Sequence, residues 1–141
     1  SITKFNSQAN KLFADDDIDE VNGTLNNPSM SGTWDLRYTY KGWTAYYGLD
    51  WIKATSSYDY LGQNPATSTY LLSVPEYKLH TVSMSYKAST WDVTLGVRNV
   101  SDTKPPVISA QAGYNRVGNS PLYSGYDYVG RTVFLNATKS F

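Results

Sequence analysis

The sequence predicts an all-β chain in which antiparallel strands, long enough to cross a bilayer, are joined by turns of unequal length. Three observations carry this. Segments alternate in polarity with period two, two minimal connections stand against three long ones, and aromatic residues crowd the ends of the alternating segments. Thirteen Tyr, four Trp and four Phe make up 15% of the 141 residues while charged residues fall to 17%, below the roughly 25% of an average soluble domain. So many rings with so few charges need an apolar surface to face other than a compact core.

The first clear strand is Trp34-Asp35-Leu36-Arg37-Tyr38-Thr39-Tyr40-Lys41, where every even position is apolar or aromatic and every odd one polar or charged. Next, Ala45, Tyr47, Leu49 and Trp51 share one face against Thr44, Tyr46, Gly48 and Asp50. His80, Val82, Met84 and Tyr86 then oppose Thr81, Ser83, Ser85 and Lys87, and Trp91, Val93, Leu95 and Val97 oppose Asp92, Thr94, Gly96 and Arg98. In the last segment Val133, Leu135, Ala137 and Phe141 oppose Thr132, Asn136, Thr138 and Ser140. Five strands of about eight to twelve residues are expected from this, and a sixth, less regular one lies within Ser1 to Phe13.

Lys41-Gly42-Trp43 and Ala88-Ser89-Thr90 join strands across two or three residues, as hairpin turns do. Residues 14–31, 55–76 and 102–127 are long connections, the first with the run Asp15-Asp16-Asp17-Ile18-Asp19-Glu20 and the last with Pro105-Pro106, Gly113, Gly118 and Gly125. Compact soluble domains rarely carry three such loops. Outer-membrane β-barrels have short periplasmic turns on one rim and long extracellular loops on the other. Tyr40, Trp43, Tyr86, Trp91 and Phe141 fall at the short-turn or C-terminal ends of strands, and Trp34, Trp51 and Tyr77 at the opposite ends, as two interfacial belts. A soluble antiparallel sandwich with one buried face produces the same alternation. It is the competing fold, and a β-sandwich ligand-binding module, possibly for carbohydrate, is the competing function.

Twelve Lys+Arg balance twelve Asp+Glu, which argues against an electrostatic nucleic-acid binder. The absence of Cys and the single His80 leave no thiolate site, no disulfide and no histidine cluster. No catalytic residue, metal site or cofactor is expected. No apolar run reaches the roughly 18 residues of a transmembrane helix. The chain opens Ser1-Ile2-Thr3-Lys4-Phe5, without Met or the order of a signal peptide, as a mature chain, a split chain or a fragment does. The acidic run lacks EF-hand spacing, with Glu20 where the loop needs Gly, and reads as a solvated loop. Three sequons, at Asn22, Asn99 and Asn136, read as chance because two lie in or at the end of strands.

Asp35, Arg37, Asp50, Asp92 and Arg98 project to the polar face, the lumen side of a barrel. Tyr58, Tyr60, Tyr70, Tyr114, Tyr123, Tyr126 and Tyr128 crowd the long loops, where aromatic rings are candidates for stacking on a ligand from outside.

Two stretches carry a family likeness. Leu95-Gly96-Val97-Arg98-Asn99-Val100-Ser101-Asp102-Thr103-Lys104-Pro105-Pro106 is similar to a "G-V-x-N-L-F-D-x-x-P-P" motif, with Ser101 where an aromatic is usual. Tyr126-Asp127-Tyr128-Val129-Gly130-Arg131-Thr132-Val133-Phe134-Leu135-Asn136-Ala137-Thr138-Lys139-Ser140-Phe141 is similar to a closing "Y-D-x-x-G-R-x-x-F-L-x-x-T-x-x-F". On these motifs the chain resembles the C-terminal end of TonB-dependent outer-membrane transporters. The resemblance implies about six C-terminal strands of a 22-stranded transmembrane barrel over residues 1–141, with the plug domain and the TonB-contacting segment outside this chain. The missing strands would come from another chain or a parent polypeptide. It further implies import of a scarce nutrient such as a ferric siderophore, and a closing strand read by the barrel assembly machinery through Val133, Leu135, Ala137 and Phe141. Lys139, charged on the outward register, would snorkel to the interface.

Overall fold

A computed structural model describes residues 1–10, 19–109, 116–123 and 125–140. Tyr114, Phe141 and residues 15–18 of the acidic run lie outside the described residues. The described chain is all β. Its principal sheet has six antiparallel strands in the order β1 (Ile2–Lys4), β4 (Met30–Tyr40), β5 (Trp43–Ile52), β8 (Tyr77–Lys87), β9 (Trp91–Arg98) and β12 (Thr132–Lys139). Three two-stranded ribbons accompany it: β2 (Ala9–Asn10) with β3 (Asp19–Glu20), β6 (Thr55–Ser56) with β7 (Ser73–Val74), and β10 (Arg116–Val117) with β11 (Ser120–Pro121).

Both short connections are two-residue turns. Lys41 (φ 45°) and Gly42 (φ 83°) both take left-handed backbone, the pair of conformations that lets a hairpin follow the strand twist. A side chain at Gly42 would stand 2.8 Å from the Lys87 carbonyl of the neighbouring hairpin. The amide of Ala88 closes the other turn on the Trp91 carbonyl at 2.7 Å.

The chain divides into two compact units. One (residues 33–51, 78–104 and 127–141) holds most of the sheet. Its registers set Val82, Val97 and Val133 in one row across β8, β9 and β12, and Met84, Leu95 and Leu135 in the next. Ser85, Thr94 and Asn136 form a row on the opposite face. The apolar rows are not a core: Leu135 is 71% exposed and Val133 66%.

Alternation alone leaves Phe134 unexplained, because it falls among Thr132, Asn136 and Thr138 on the polar face. The register pairs it with Gly96, and its ring lies over that glycine, where any Cβ would strike it. The bare backbone of Gly96 is the seat of the ring. Gly96→Val is expected to cost about 1–3 kcal/mol through overpacking, with most of the loss recovered by adding Phe134→Ala. An unfolding midpoint unchanged by Gly96→Val alone would contradict this packing.

The other unit (residues 1–32, 52–77 and 105–126) contains the long connections. They are not simply solvated loops. Leu25, Ile52, Leu72, Val74, Tyr77, Ile108 and Tyr126 are all buried there. Tyr77, expected in an interfacial belt, is 5% exposed and packs edge-on against Tyr126 with ring centroids 5.0 Å apart. Its odd number puts it on the Ser83 and Ser85 side of β8, away from Val82 and Met84, which is why it cannot serve the belt. Glu20, from the acidic run, accepts the Ser7 hydroxyl and the amides of Gln8 (2.8 Å) and Asn22 (3.0 Å). These donors hold its carboxyl below the ordinary range, the Ser7 hydroxyl foremost.

Candidate functional site

The two faces of the sheet unit differ in chemistry. On one, Asp35, Arg37, Thr39, Thr44, Tyr46, Ser83, Ser85, Lys87, Asp92 and Thr94 line an open concavity of about 930 Å³. Strand periodicity puts these side chains together: each occupies the polar register of its strand, and antiparallel pairing sets the polar registers side by side. Several are tied to one another. The Tyr46 hydroxyl donates to Asp35 at 2.5 Å, and the Arg37 guanidinium lies 5.6 Å from the centre of the Tyr46 ring. Thr39 and Thr44 share a hydrogen bond of 3.1 Å across the β4–β5 hairpin, and Ser85 and Thr94 one of 2.9 Å across β8–β9.

Of the five charged residues expected on this face, Asp35, Arg37 and Asp92 line the concavity. Asp50 accepts from the Thr33 hydroxyl at 3.1 Å, and Arg98 stands in register with Thr81 and Thr132, two steps of the period from Thr94. The lining balances Asp35 and Asp92 with Arg37 and Lys87, so it is a hydroxyl-rich, charge-compensated wall. It can hydrogen-bond to water or to polar groups passing over it and selects no sign of charge.

The opposite face exposes Trp34, Leu36, Tyr38, Val82, Met84, Val93, Leu95, Val133 and Leu135. The rings sit at its ends. Trp43 and Tyr86 stack at 4.7 Å between centroids, and the Lys139 ammonium lies 5.2 Å from the centre of the Trp91 ring that faces it in the register. Lys139 therefore rests on an aromatic face, a cation–π contact. At the other end Trp34 packs edge-on against Tyr47, whose hydroxyl meets His80 Nδ1 at 2.8 Å.

The two motif stretches meet in a buried polar cluster where β9 and β12 leave the sheet. Asn99 is fully buried with left-handed backbone (φ 54°), a conformation Asn tolerates better than most residues. Its amide donates to the Thr103 carbonyl and to Asp127 Oδ2, both at 2.9 Å, while its Oδ1 accepts the Thr103 N–H at 2.8 Å. Asp127 Oδ1 also accepts the amides of Val129 and Gly130. Burial pushes the Asp127 carboxyl up, but those amides, the Asn99 side chain and the Arg98 charge outweigh it and hold it below the ordinary value. Asp102 Oδ1 accepts the Arg131 amide at 3.0 Å and its Oδ2 pairs with Lys104 at 2.8 Å; Lys104 first and the Arg131 amide second lower its pKa. The motif residues thus fasten the ends of β9 and β12 together, a role that the local sequence around Asn99, with its chance sequon, does not reveal. The traces available beforehand were the Asn-x-x-Asp and Asp-x-x-Gly-Arg spacings.

The loop tyrosines divide. Tyr126 is 5% exposed and packed against Tyr77 and Tyr123, so its ring is core and not offered to a ligand. Tyr58 is half-buried and donates to the Tyr70 carbonyl at 2.7 Å. Tyr60, Tyr70 and Tyr128 are exposed, and Tyr123 is half-buried. Among the described residues, no group of three or more His, Asp or Glu is placed to hold a metal ion.

No protein-family model and no curated protein sequence matches the chain. Among solved structures it is similar to a point mutant of the ferric enterobactin receptor of Pseudomonas aeruginosa, with a TM-score of 0.52 and 18% sequence identity over 81% of this chain. The chain spans 16% of the receptor's length. At that identity the likeness shows the fold alone: an all-β chain whose six-stranded antiparallel sheet is similar to a segment of that receptor.

Proposed function

We propose that the chain is the C-terminal barrel wall of an outer-membrane active transporter, a protein that binds and imports a scarce nutrient, a ferric siderophore or similar cargo, using energy transmitted by TonB. The observation that carries this is the opposed chemistry of the sheet: a broad apolar face with aromatic ends, left exposed by the chain's own fold, and a hydroxyl-rich, charge-compensated face behind it. A soluble sandwich would bury the first face against a second sheet, whereas among the described residues that face is exposed. The fold of a receptor-barrel segment and the joined C-terminal motifs agree with this reading.

In this assignment the apolar face meets lipid in the bacterial outer membrane. Asp35, Arg37, Asp50, Asp92 and Arg98 face the lumen, toward the plug or the passing cargo, and the exposed loop tyrosines Tyr60, Tyr70 and Tyr128 are the ligand-contact candidates. The rest of the barrel, its plug and the TonB-contacting segment belong to the remainder of the assembly. The chain's own residues bind and line a path; none performs covalent chemistry. The closing strand, with Phe141 at its end, is the part handed to the barrel assembly machinery.

Deleting the gene for the full-length protein is expected to abolish uptake of its labelled ferric siderophore, and a TonB-null strain to lose the same uptake. Uptake unchanged in both strains, with the protein recovered in the soluble fraction, would reject the proposal. Orientation is tested separately. Protease added to whole cells is expected to cut within residues 14–31, 55–76 or 102–127 and to spare Lys41–Trp43 and Ala88–Thr90. Cuts confined to those two turns would invert the topology.

A further inference from the structure

The apolar face changes chemistry at the end from which the long connections leave. Thr81 pairs with Arg98 and Arg98 with Thr132, so one residue further along His80 and Arg131 stand on either side of Asn99. The Val100 amide donates to the His80 carbonyl at 2.9 Å, which keeps β8 and β9 joined at this level. Two strand spacings, about 10 Å, separate the flanking residues. His80 continues the register of Val82 and Met84, and Arg131 that of Val133 and Leu135, so both side chains belong to the exposed apolar face. Lys78 is the next step of that register on β8. Asn99, between the two, sends nothing outward, because its amide is fully buried on Thr103 and Asp127. Immediately toward the middle of the sheet, Val82, Val97 and Val133 form the next row of the same face.

These polar side chains are not matched by carboxylates on their own face. Asp35, Asp50 and Asp92 occupy the polar register behind it. Both oxygens of the neighbouring Asp102 are engaged, Oδ1 by the Arg131 backbone amide at 3.0 Å and Oδ2 by the Lys104 ammonium at 2.8 Å. Among the described residues the exposed Arg131 guanidinium makes no salt bridge. The half-buried His80 ring meets the Tyr47 hydroxyl at Nδ1, which leaves Nε2 as the nitrogen for another partner. Trp34, edge-on against Tyr47, adds a ring of the kind that settles at headgroup level. A guanidinium at a lipid–water boundary calls for an anion, and its planar fork matches the oxygens of a phosphate. We infer that Arg131 and His80, with Lys78 beside them, form a site on the outside of the sheet for the phosphate of a lipid headgroup. The acyl chains of that lipid run down over Val82, Val97 and Val133. Those apolar rows, beginning directly beside the polar pair, favour a lipid over a soluble phosphate. The inference rests on the reading that this face meets lipid.

The test is photo-cross-linking of the full-length protein in maltoside micelles, which carry no phosphate. The probe is diacyl phosphatidic acid with a diazirine in one acyl chain close to the glycerol, and the comparator is diacylglycerol with the same chains. Adducts are mapped to residues by mass spectrometry. Phosphatidic acid is expected to label Val82, Val97, Val133 and their neighbours about fivefold more than diacylglycerol does, the gain from roughly one well-placed cation. Arg131→Gln should abolish that preference and His80→Gln should reduce it. Arg131→Lys keeps the charge and should retain part of it. Lys139→Gln, at the opposite end of the same face, should leave it unchanged. The preference in the unsubstituted protein is read without any variant, so a variant that fails to fold does not remove the test. Equal labelling by the two lipids overturns the inference while leaving the lipid-facing reading intact, and a face labelled by neither rejects both. A preference that survives both Arg131→Gln and His80→Gln also overturns it. So does displacement of phosphatidic acid by inorganic phosphate at equal concentration, which would assign the site to a soluble anion.

Discussion

Asp127→Ala is expected to open the junction between β9 and β12. The substitution strands the Asn99 side-chain amide inside the protein and removes the acceptor of the Val129 and Gly130 amides. At roughly 1–3 kcal/mol for each buried donor left unsatisfied, and with Asn99 fully buried, the loss is about 2–4 kcal/mol. Hydrogen exchange of the Asn99–Thr103 turn in the full-length protein should rise sharply, while the Ala45–Leu49 stretch stays as protected as before. Asn99→Gly and Asn99→Ala separate bonding from backbone strain. Glycine keeps the left-handed conformation and loses only the amide, whereas alanine loses both and should be worse by about 1 kcal/mol. Equal effects would mean that the φ of Asn99 is not a constraint.

The same junction has an acid limit. Asp102 and Asp127 both have folded-state pKa values below the ordinary 3.8, so the stability they contribute is complete above about pH 4 and is lost as the pH falls through their lowered values. Asp127→Asn should flatten that acid-side loss. An unchanged acid profile in that variant would show that another group governs it.

The second large effect separates lipid from water. Leu135 is among the most exposed apolar residues of the chain and sits mid-strand between Leu95 on β9 and the open side of β12. In a soluble module, an exposed position of this kind tolerates substitution within about 0.5 kcal/mol. At the middle of a bilayer, Leu135→Arg is expected to cost about 2–4 kcal/mol. The comparison is with Asn136→Arg on the adjacent, polar register, which should be mild because the side chain meets water. Unfolding of the full-length protein from lipid vesicles reads both, and equal costs for the two variants would remove the distinction between the faces.

The parts of this structure that were legible in the sequence are those in which a single strand carries its own signal. Each strand of a sheet with one polar and one apolar face writes both faces into alternate residues, so Trp34–Lys41 and Trp91–Arg98 announced strands and faces together. What alternation cannot express is a contact between faces of different strands. Phe134 breaks the period, and its place is intelligible only with Gly96, 38 positions earlier, as its seat. The Asn99–Asp127 bond spans 28 positions, and neither partner's local sequence names the other. The long connections hid their core for a related reason. Leu25, Leu72, Ile108 and Tyr126 are all buried, but irregular backbone imposes no period by which to recognise them. Tyr77 and Tyr126 looked like belt and ligand aromatics because loop tyrosines of every fate have the same local sequence.

The central claim is that the face bearing Leu36, Leu95 and Leu135 meets lipid while the face bearing Asp35, Thr94 and Asn136 meets water. Spin labels placed singly at these six positions of the full-length protein, in outer-membrane vesicles, measure this through collisional relaxation by oxygen and by a water-soluble nickel chelate. The first three labels should respond to oxygen and be shielded from the chelate, and the last three should show the reverse. Chelate accessibility at Leu36, Leu95 and Leu135 equal to that at Asp35, Thr94 and Asn136 would contradict the account.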